Sequence, residues 1–420
     1  MRARRDLDIV LYGATGFVGR HVARALAAAG AGVRIALAGR SADRMTALRD
    51  SLGTGARDWP VLVTGLDEPG PLANLAGRTR VLVSTVGPYS TVGLSLVAAC
   101  AHAGTDYLDL AGEIPFVRAS IDRYHRIAAS TGARIVHSCG FDSIPSDLTV
   151  YALHRRAVDD GAGVMGRTTM VLRAYSGGCS GGSLRTMVEL MRAAYTDASL
   201  RAVLDDPYSL SPDRAGEPDL GAQPDVPVFS GSEIAPELAG LWTGGYLMAL
   251  YNTRCVRRTN ALLGWPYGRG LRYTETLSYG SSPMAPFLAA MSGPTITAAA
   301  RLGGAYLATV PSTVVDRLLP DSTIGHDHGD RGRYVVETYT STAAGHRYVA
   351  TMAQRGDPGY SATATLIAVA AMAMVTDSAR LSALRGVLTP VAAMGDLLLE
   401  KLPGQGVTLT VTPLGRGQGR

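Results

Sequence analysis

The seven residues Gly13-Ala14-Thr15-Gly16-Phe17-Val18-Gly19 constrain this chain more than any other stretch. They follow "LDIVLY", a short apolar run that reads as a buried strand. They precede "FVGRHVARALAAAG", whose apolar spacing is helical and which stops at Gly30. Glycines at the first, fourth and seventh positions let the backbone turn tightly and approach a ligand closely. The helix start behind them offers free N–H groups and a positive dipole end. A strand, a glycine turn and a helix in this order predict a dinucleotide-binding loop.

The rest of the first third extends the pattern. "VRIALAGR", "WPVLVTG", "TRVLVSTVG", "DYLDLAG" and "ARIVHSCGFDS" read as strands. "SADRMTALRDSLG", with Ser41 as its N-cap, and "VGLSLVAACAHAG" read as helices. Strands alternating with helices imply an α/β fold, a Rossmann doubly wound parallel sheet. The character changes after about Asp147. A strand, a Gly/Ser loop and a helix lead into a Pro/Asp/Gly-rich excursion from Asp205 to Pro236. "LRYTETLSYG" and "RYVVETYTSTAAGHRYVATMAQRG" look like antiparallel strands. The expected organisation is a dinucleotide-binding domain over 1–147, an inserted α+β domain over 148–355, and C-terminal helices over 356–420 that return to the first domain. The Ala-rich run Tyr360–Val375 is too short to cross a membrane and reads as a buried helix of that last segment.

The end of the second strand bears on the choice of dinucleotide. An acid there would accept bonds from a ribose 2′-hydroxyl and repel a 2′-phosphate. The chain has Arg40-Ser41 instead, a guanidinium fork and a hydroxyl suited to a phosphate, which favours NADPH. Thr85-Val86-Gly87-Pro88 ends a later strand, where ligands of open α/β sheets bind, and adds a second loop over the cofactor. Tyr89, next to it, is a candidate catalytic residue facing the nicotinamide. Asp142 is the other, with Glu113, His137, Cys139 and Ser143 as further groups at strand ends.

Composition excludes several classes. The net charge of +5 over 420 residues is mild and forms no block beyond the first five residues, so nucleic acid is not an expected partner. An anionic substrate, cofactor or membrane surface stays compatible with it. Four separated cysteines without a C-x-x-C pair, and no apolar leader, suggest a reduced, cytoplasmic protein. Lys401 is the only lysine and Leu397 stands four residues before it. The Tyr-x-x-x-Lys pair that short-chain dehydrogenases use to lower a phenol pKa is therefore missing. No metal site is expected; His326-Asp327-His328 reads as a solvated turn in a Gly/Asp-rich loop.

Several motifs occur in one order over nearly the whole chain: GATGFVG, AGRS, "STVGPYSTVG", "GTDYLDLAGE", "HSCGFDSIPSD" and "QRGDPGY". Together they resemble the saccharopine dehydrogenase-like oxidoreductases, and among these the mycobacterial trans-acting enoyl reductases. The resemblance implies a Rossmann domain with an inserted domain. It also implies NADPH-dependent reduction of an enoyl intermediate for a polyketide synthase without its own enoyl reductase, in the making of phthiocerol-type envelope lipids. The substrate is then a lipid or polyketide, carrier-protein bound, handled in the cytoplasm or at the inner membrane face. Two alternatives stay open: an oxidoreductase of the same family acting on another substrate, such as an amino-acid imine held by Arg173 or Arg185, and a non-catalytic NADPH-binding protein.

Overall fold

In a computed structural model that describes residues 5–30, 32–178, 181–309 and 331–416, the chain forms two seven-stranded sheets. The first contains β1 (Leu7–Tyr12), β2 (Ile35–Gly39), β3 (Val61–Val63), β4 (Thr79–Ser84), β5 (Asp106–Leu108) and β6 (Arg134–Val136). Its seventh strand, β13 (Gly386–Leu388), comes from near the C-terminus. The order β13-β6-β5-β4-β1-β2-β3 is parallel throughout. This is the doubly wound order, with one strand added beyond β6. All six residues of β1 are buried, as a parallel strand covered by helices on both faces requires.

The second sheet holds β7 (Met165–Ser176), β8 (Phe229–Ser230), β9 (Trp242–Gly244), β10 (Arg272–Gly280), β11 (Arg333–Thr342), β12 (His346–Arg355) and β14 (Val407–Arg416). Its order is β14-β12-β11-β7-β10-β9-β8. The β11–β12 hairpin is antiparallel, as the alternating polarity suggests. β10, expected to be antiparallel, pairs in parallel with β7 and antiparallel with β9. Several helices and a long excursion separate β7 from β10, which gives the chain room to cross over.

The last segment is not made of helices alone. Helix Ser361–Thr376 packs on helix Phe17–Ala29 and on β1, β4 and β5 of the first sheet. Helix Pro390–Lys401 packs on helix Ile144–Asp159, which also packs on the second sheet and on helix Ala249–Leu262. β14 then leaves the first sheet and closes the edge of the second beside β12. Residues 356–420 therefore hold, besides the helices, a strand of the second sheet: a ten-residue strand with alternating polarity pairs best with the long β12 edge, not with the short strands of the first sheet. One continuous apolar core joins residues of both sheets, from Ile9 and Leu11 to Tyr334 and Met352.

The excursion beyond Asp205 is held by buried arginines. Helix Ala249–Leu262 carries Arg254, Arg257 and Arg258, all at most 4% exposed. Arg254 bonds the Leu204 carbonyl at 2.7 Å and the Asp225 carboxylate at 2.6 Å. Arg257 reaches the Pro207 carbonyl at 3.2 Å, and Arg258 bonds the Leu210 and Val387 carbonyls at 2.5 and 2.6 Å. Burial lowers the pKa of Arg257 and Arg258 to about 10, still far above neutrality.

Candidate active site at the carboxyl ends of the first sheet

The glycine loop leaves β1 and enters helix Phe17–Ala29 with Gly16 as N-cap and no side-chain cap. The N–H groups of the first turn thus have no partner inside the helix, and no acidic residue sits there to repel an anion. Gly13 has φ +88°. A Cβ on it would lie 2.4 Å from Val86 Cγ2, and a Cβ on Gly19 would lie 2.3 Å from the Gly13 carbonyl. A Cβ on Gly16 would meet only the Gly13 carbonyl, at 3.3 Å. Gly13 and Gly19 are thus required by the turn itself, while Gly16 leaves an open face. Such a cradle fits a pyrophosphate. Ala14 is buried beneath it, and the Thr15 carbonyl accepts a bond from Arg20 Nε at 3.2 Å.

The second loop is tied to the first. Thr85 donates its N–H to the Tyr12 carbonyl at 3.0 Å and its hydroxyl to the Gly13 carbonyl at 3.1 Å. Val86 fills the space that Gly13 leaves empty, and Gly87-Pro88 leads into the short helix Tyr89–Val92. Arg40 is exposed at the end of β2 and makes no hydrogen bond among the described residues. Its charge reaches Tyr12, as do those of Asp67 and Glu68. The Ser41 hydroxyl caps helix Ala42–Ser51 by accepting the Arg44 N–H at 3.4 Å.

Tyr89 is turned into the protein. It is 7% exposed, its hydroxyl donates to the Ser84 carbonyl at 3.1 Å and accepts the Leu110 N–H at 3.2 Å, and its ring packs on Phe116. Burial pushes its pKa well up. The catalytic reading of Tyr89 is therefore corrected: apolar neighbours and two backbone groups claim the phenol from inside the sheet.

Four other strand-end groups are likewise committed. Glu113 accepts the N–H groups of Tyr89 and Ser90 at 2.7 Å each, and also the Ser90 hydroxyl, pinning the start of the short helix. His137 lies between Asp109 at 2.7 Å and Ser120 at 2.8 Å. Cys139 is buried, and its thiol is pushed up by desolvation. The Ser143 hydroxyl donates to Asn252 at 2.8 Å.

Asp142 differs. It is half-buried and makes no hydrogen bond among the described residues, and burial pushes its carboxyl up to about 6. It lies where the two sheets meet. Phe141 packs its ring at a tilt on Tyr334 of the second sheet and takes the Thr363 hydroxyl as partner for its N–H at 3.0 Å. Tyr246, from the loop after β9, is close enough for the Asp142 charge to act on it. Tyr246 is half-buried, its hydroxyl makes no hydrogen bond among the described residues, and it is pushed well up by burial and by Glu275 and Asp142. Sequence reading missed Tyr246. "TGGYLMALY" carries no chemical motif, and only the turn after β9 brings it to Asp142.

The "GDPGY" stretch closes the same region. Asp357 is fully buried and accepts the Gly178 N–H at 3.1 Å and the Gly359 N–H at 2.9 Å, locking the loop after β7 to the start of helix Ser361–Thr376. Tyr360 meets Phe17 of the glycine loop edge-on, with ring centroids 4.6 Å apart. Lys401 pairs with Asp377 at 2.9 Å, at the other end of that helix, about 24 Å away. Arg173, a candidate for a substrate carboxylate, is paired with Glu337 at 2.8 Å. His326-Asp327-His328 and Cys179 lie outside the described residues. Among the described residues no cluster of three or more His, Cys, Asp or Glu is placed to hold a metal ion, and no helix is long and apolar enough to cross a membrane.

Comparison with known proteins agrees with this architecture. Residues 9–136 match the saccharopine dehydrogenase NADP binding domain. A Mycobacterium tuberculosis protein is 53% identical over 412 residues, 98% of each chain. The trans-acting enoyl reductase of Mycobacterium bovis is 52% identical over 415 residues, covering 98% of this chain and 99% of that one. The apo saccharopine dehydrogenase (L-Glu forming) of Saccharomyces cerevisiae shares the fold at a TM-score of 0.53 and 15% identity, over 97% of this chain and all of that one. The chain belongs to the family of the trans-acting enoyl reductases, NADP-dependent oxidoreductases built on the saccharopine dehydrogenase fold.

Proposed function

We propose that the protein reduces the carbon–carbon double bond of a lipid or polyketide enoyl thioester, presented on a carrier protein by a polyketide synthase that lacks this activity, in phthiocerol-type envelope lipid synthesis. A place in the cytoplasm or at the inner membrane face goes with that substrate. The names of the relatives support the reaction class. The observation that carries it here is Asp142, an open carboxyl with a pKa near 6 between the two sheets.

The backbone of Gly13 to Gly19 holds the cofactor pyrophosphate in this reading, under the loop of Thr85, Val86, Gly87 and Pro88. Arg40 and Ser41 hold the 2′-phosphate. When bound, NADPH supplies a hydride to the β-carbon of the enoyl thioester. The double-bond electrons then move onto the thioester oxygen as an enolate. Tyr246, kept protonated by its raised pKa, donates a hydrogen bond to that oxygen. Asp142, in its protonated form, gives its proton to the α-carbon and takes another from solvent.

NADPH oxidation with a panel of enoyl thioesters, with product mass, tests the reaction. Saturated thioester is expected; turnover of an amino-acid imine with none of any enoyl thioester would overturn it. Asp142→Asn is expected to lower kcat about 100-fold at unchanged NADPH affinity, within the range for a lost general acid. Because the protonated carboxyl is the donor, wild-type kcat falls as pH rises through about 6. A flat profile and an active Asn variant would remove Asp142 from the mechanism.

Arg40→Ala has a narrower readout. Affinity for NADPH should fall about tenfold while that for NADH stays put, the loss of roughly one charge-assisted phosphate contact. An unchanged preference would assign the phosphate elsewhere.

A further inference from the structure

At the opposite edge of the first sheet, where β1, β4, β5, β6 and β13 begin, the surface encloses a cavity of about 390 Å³. Arg5, Arg80, Arg134 and Arg385 line it, and Asp106 is the carboxylate among them. Asp106 sits on Arg134 at 3.3 Å. Asp8, behind the wall, is shared between Arg80 at 3.2 Å and Arg34 at 3.0 Å. Four guanidinium groups against Asp106 and a carboxylate, Asp8, that is itself shared with Arg34 leave the cavity a net positive field.

Backbone carbonyls hold these side chains in place. Arg5 bonds the Ala103 and Gly104 carbonyls at 2.9 Å each, Arg80 the Val375 carbonyl at 3.0 Å, and Arg134 the Ser382 carbonyl at 3.0 Å. Arg385 uses only Nη1, toward the Ser382 and Leu384 carbonyls at 2.9 and 2.8 Å. Its Nε and Nη2, and Nε of Arg80, make no hydrogen bond among the described residues. Capping of helix ends by Arg5 and Arg80, and of the loop before β13 by Arg134 and Arg385, explains the anchored nitrogens. It does not explain why anchored cations with uncommitted donors converge on one concavity. Forked, fixed N–H donors match the oxygens of a phosphate better than those of a flexible or uncharged ligand.

We propose that this cavity is a binding site for a small phosphate-bearing anion, separate from the dinucleotide site. Strands of up to six residues put roughly 20 Å between the two edges of the sheet, so one dinucleotide pyrophosphate cannot serve both.

The probe is inorganic pyrophosphate, titrated calorimetrically into protein saturated with NADP⁺. Wild type is expected to bind it under these conditions and to bind succinate at least tenfold more weakly. Arg385→Gln, which keeps a donor for the two carbonyls, should weaken pyrophosphate about tenfold or more and leave NADPH affinity unchanged. Arg5→Gln is the second variant, should the first not fold, and carries the same expectation. Absence of binding to the NADP⁺-saturated protein, equal affinity for succinate, or an affinity unmoved by the substitution would each overturn the proposal.

Discussion

Gly19→Ala is expected to raise the Kd for NADPH about 10- to 100-fold and to lower the melting temperature as well. The added Cβ would sit 2.3 Å from the Gly13 carbonyl and 2.9 Å from Ala14 Cα. Both are backbone, so no side-chain rotation relieves the contact. Either the loop lifts off the helix start or the first helical turn opens, and strain of this kind costs about 1–3 kcal/mol. Either response moves the N–H groups that the pyrophosphate needs. Gly16→Ala separates the two effects. Its Cβ meets only the Gly13 carbonyl at 3.3 Å, so the fold should keep its melting temperature while the open face is blocked and NADPH binding falls. Fluorescence titration of NADPH and a melting curve on both variants check this. Wild-type affinity in Gly19→Ala would show that the cofactor lies elsewhere.

Arg254→Met should destabilise the protein by about 2–3 kcal/mol, below the cost of breaking a fully buried ion pair because the Asp225 carboxylate is partly exposed. Arg254 is 2% exposed and bridges the Asp225 carboxylate and the Leu204 carbonyl. Methionine keeps most of the stem's packing, so the loss reports the guanidinium. Asp225 would keep the Thr253 hydroxyl at 3.0 Å but lose its counter-charge. The Leu204 carbonyl would lose this donor. Denaturant unfolding measures the total. Limited proteolysis locates it, with new cleavage expected between residues 205 and 236. Unchanged unfolding would mean that the excursion is held by its apolar contacts alone.

Arg254, Arg257 and Arg258 also show why part of the fold was illegible beforehand. Arginine belongs at the surface by default, and an Arg-Arg pair reads as solvated charge. Here an irregular segment with few strands of its own presents carbonyls, and the helix answers them with guanidinium groups. Nothing in local periodicity announces such a pairing, because its partners lie about fifty residues away in the chain. The same limit explains β14. Its alternating pattern is a strand pattern, but its place beside β12 depends on which sheet has a long open edge.

The doubly wound sheet was legible because its signals are local. An apolar run of a few residues, a glycine that must turn and a helix that follows need no distant partner to be recognised. Gly13, Gly16 and Gly19 specify their loop through backbone sterics alone, and the arginine and serine after β2 speak to charge at a position that the fold class already defines. The roles of Tyr89 and Asp142 are of another kind. Both stand at strand ends, and both are chemically able to move a proton. Tertiary structure turned Tyr89 inward onto Ser84 and Leu110, and left Asp142 without a hydrogen bond among the described residues, within electrostatic reach of Tyr246, at the junction of the sheets. Which titratable group is free is a result of competition for hydrogen bonds and of burial by remote segments, so only the assembled chain decides it.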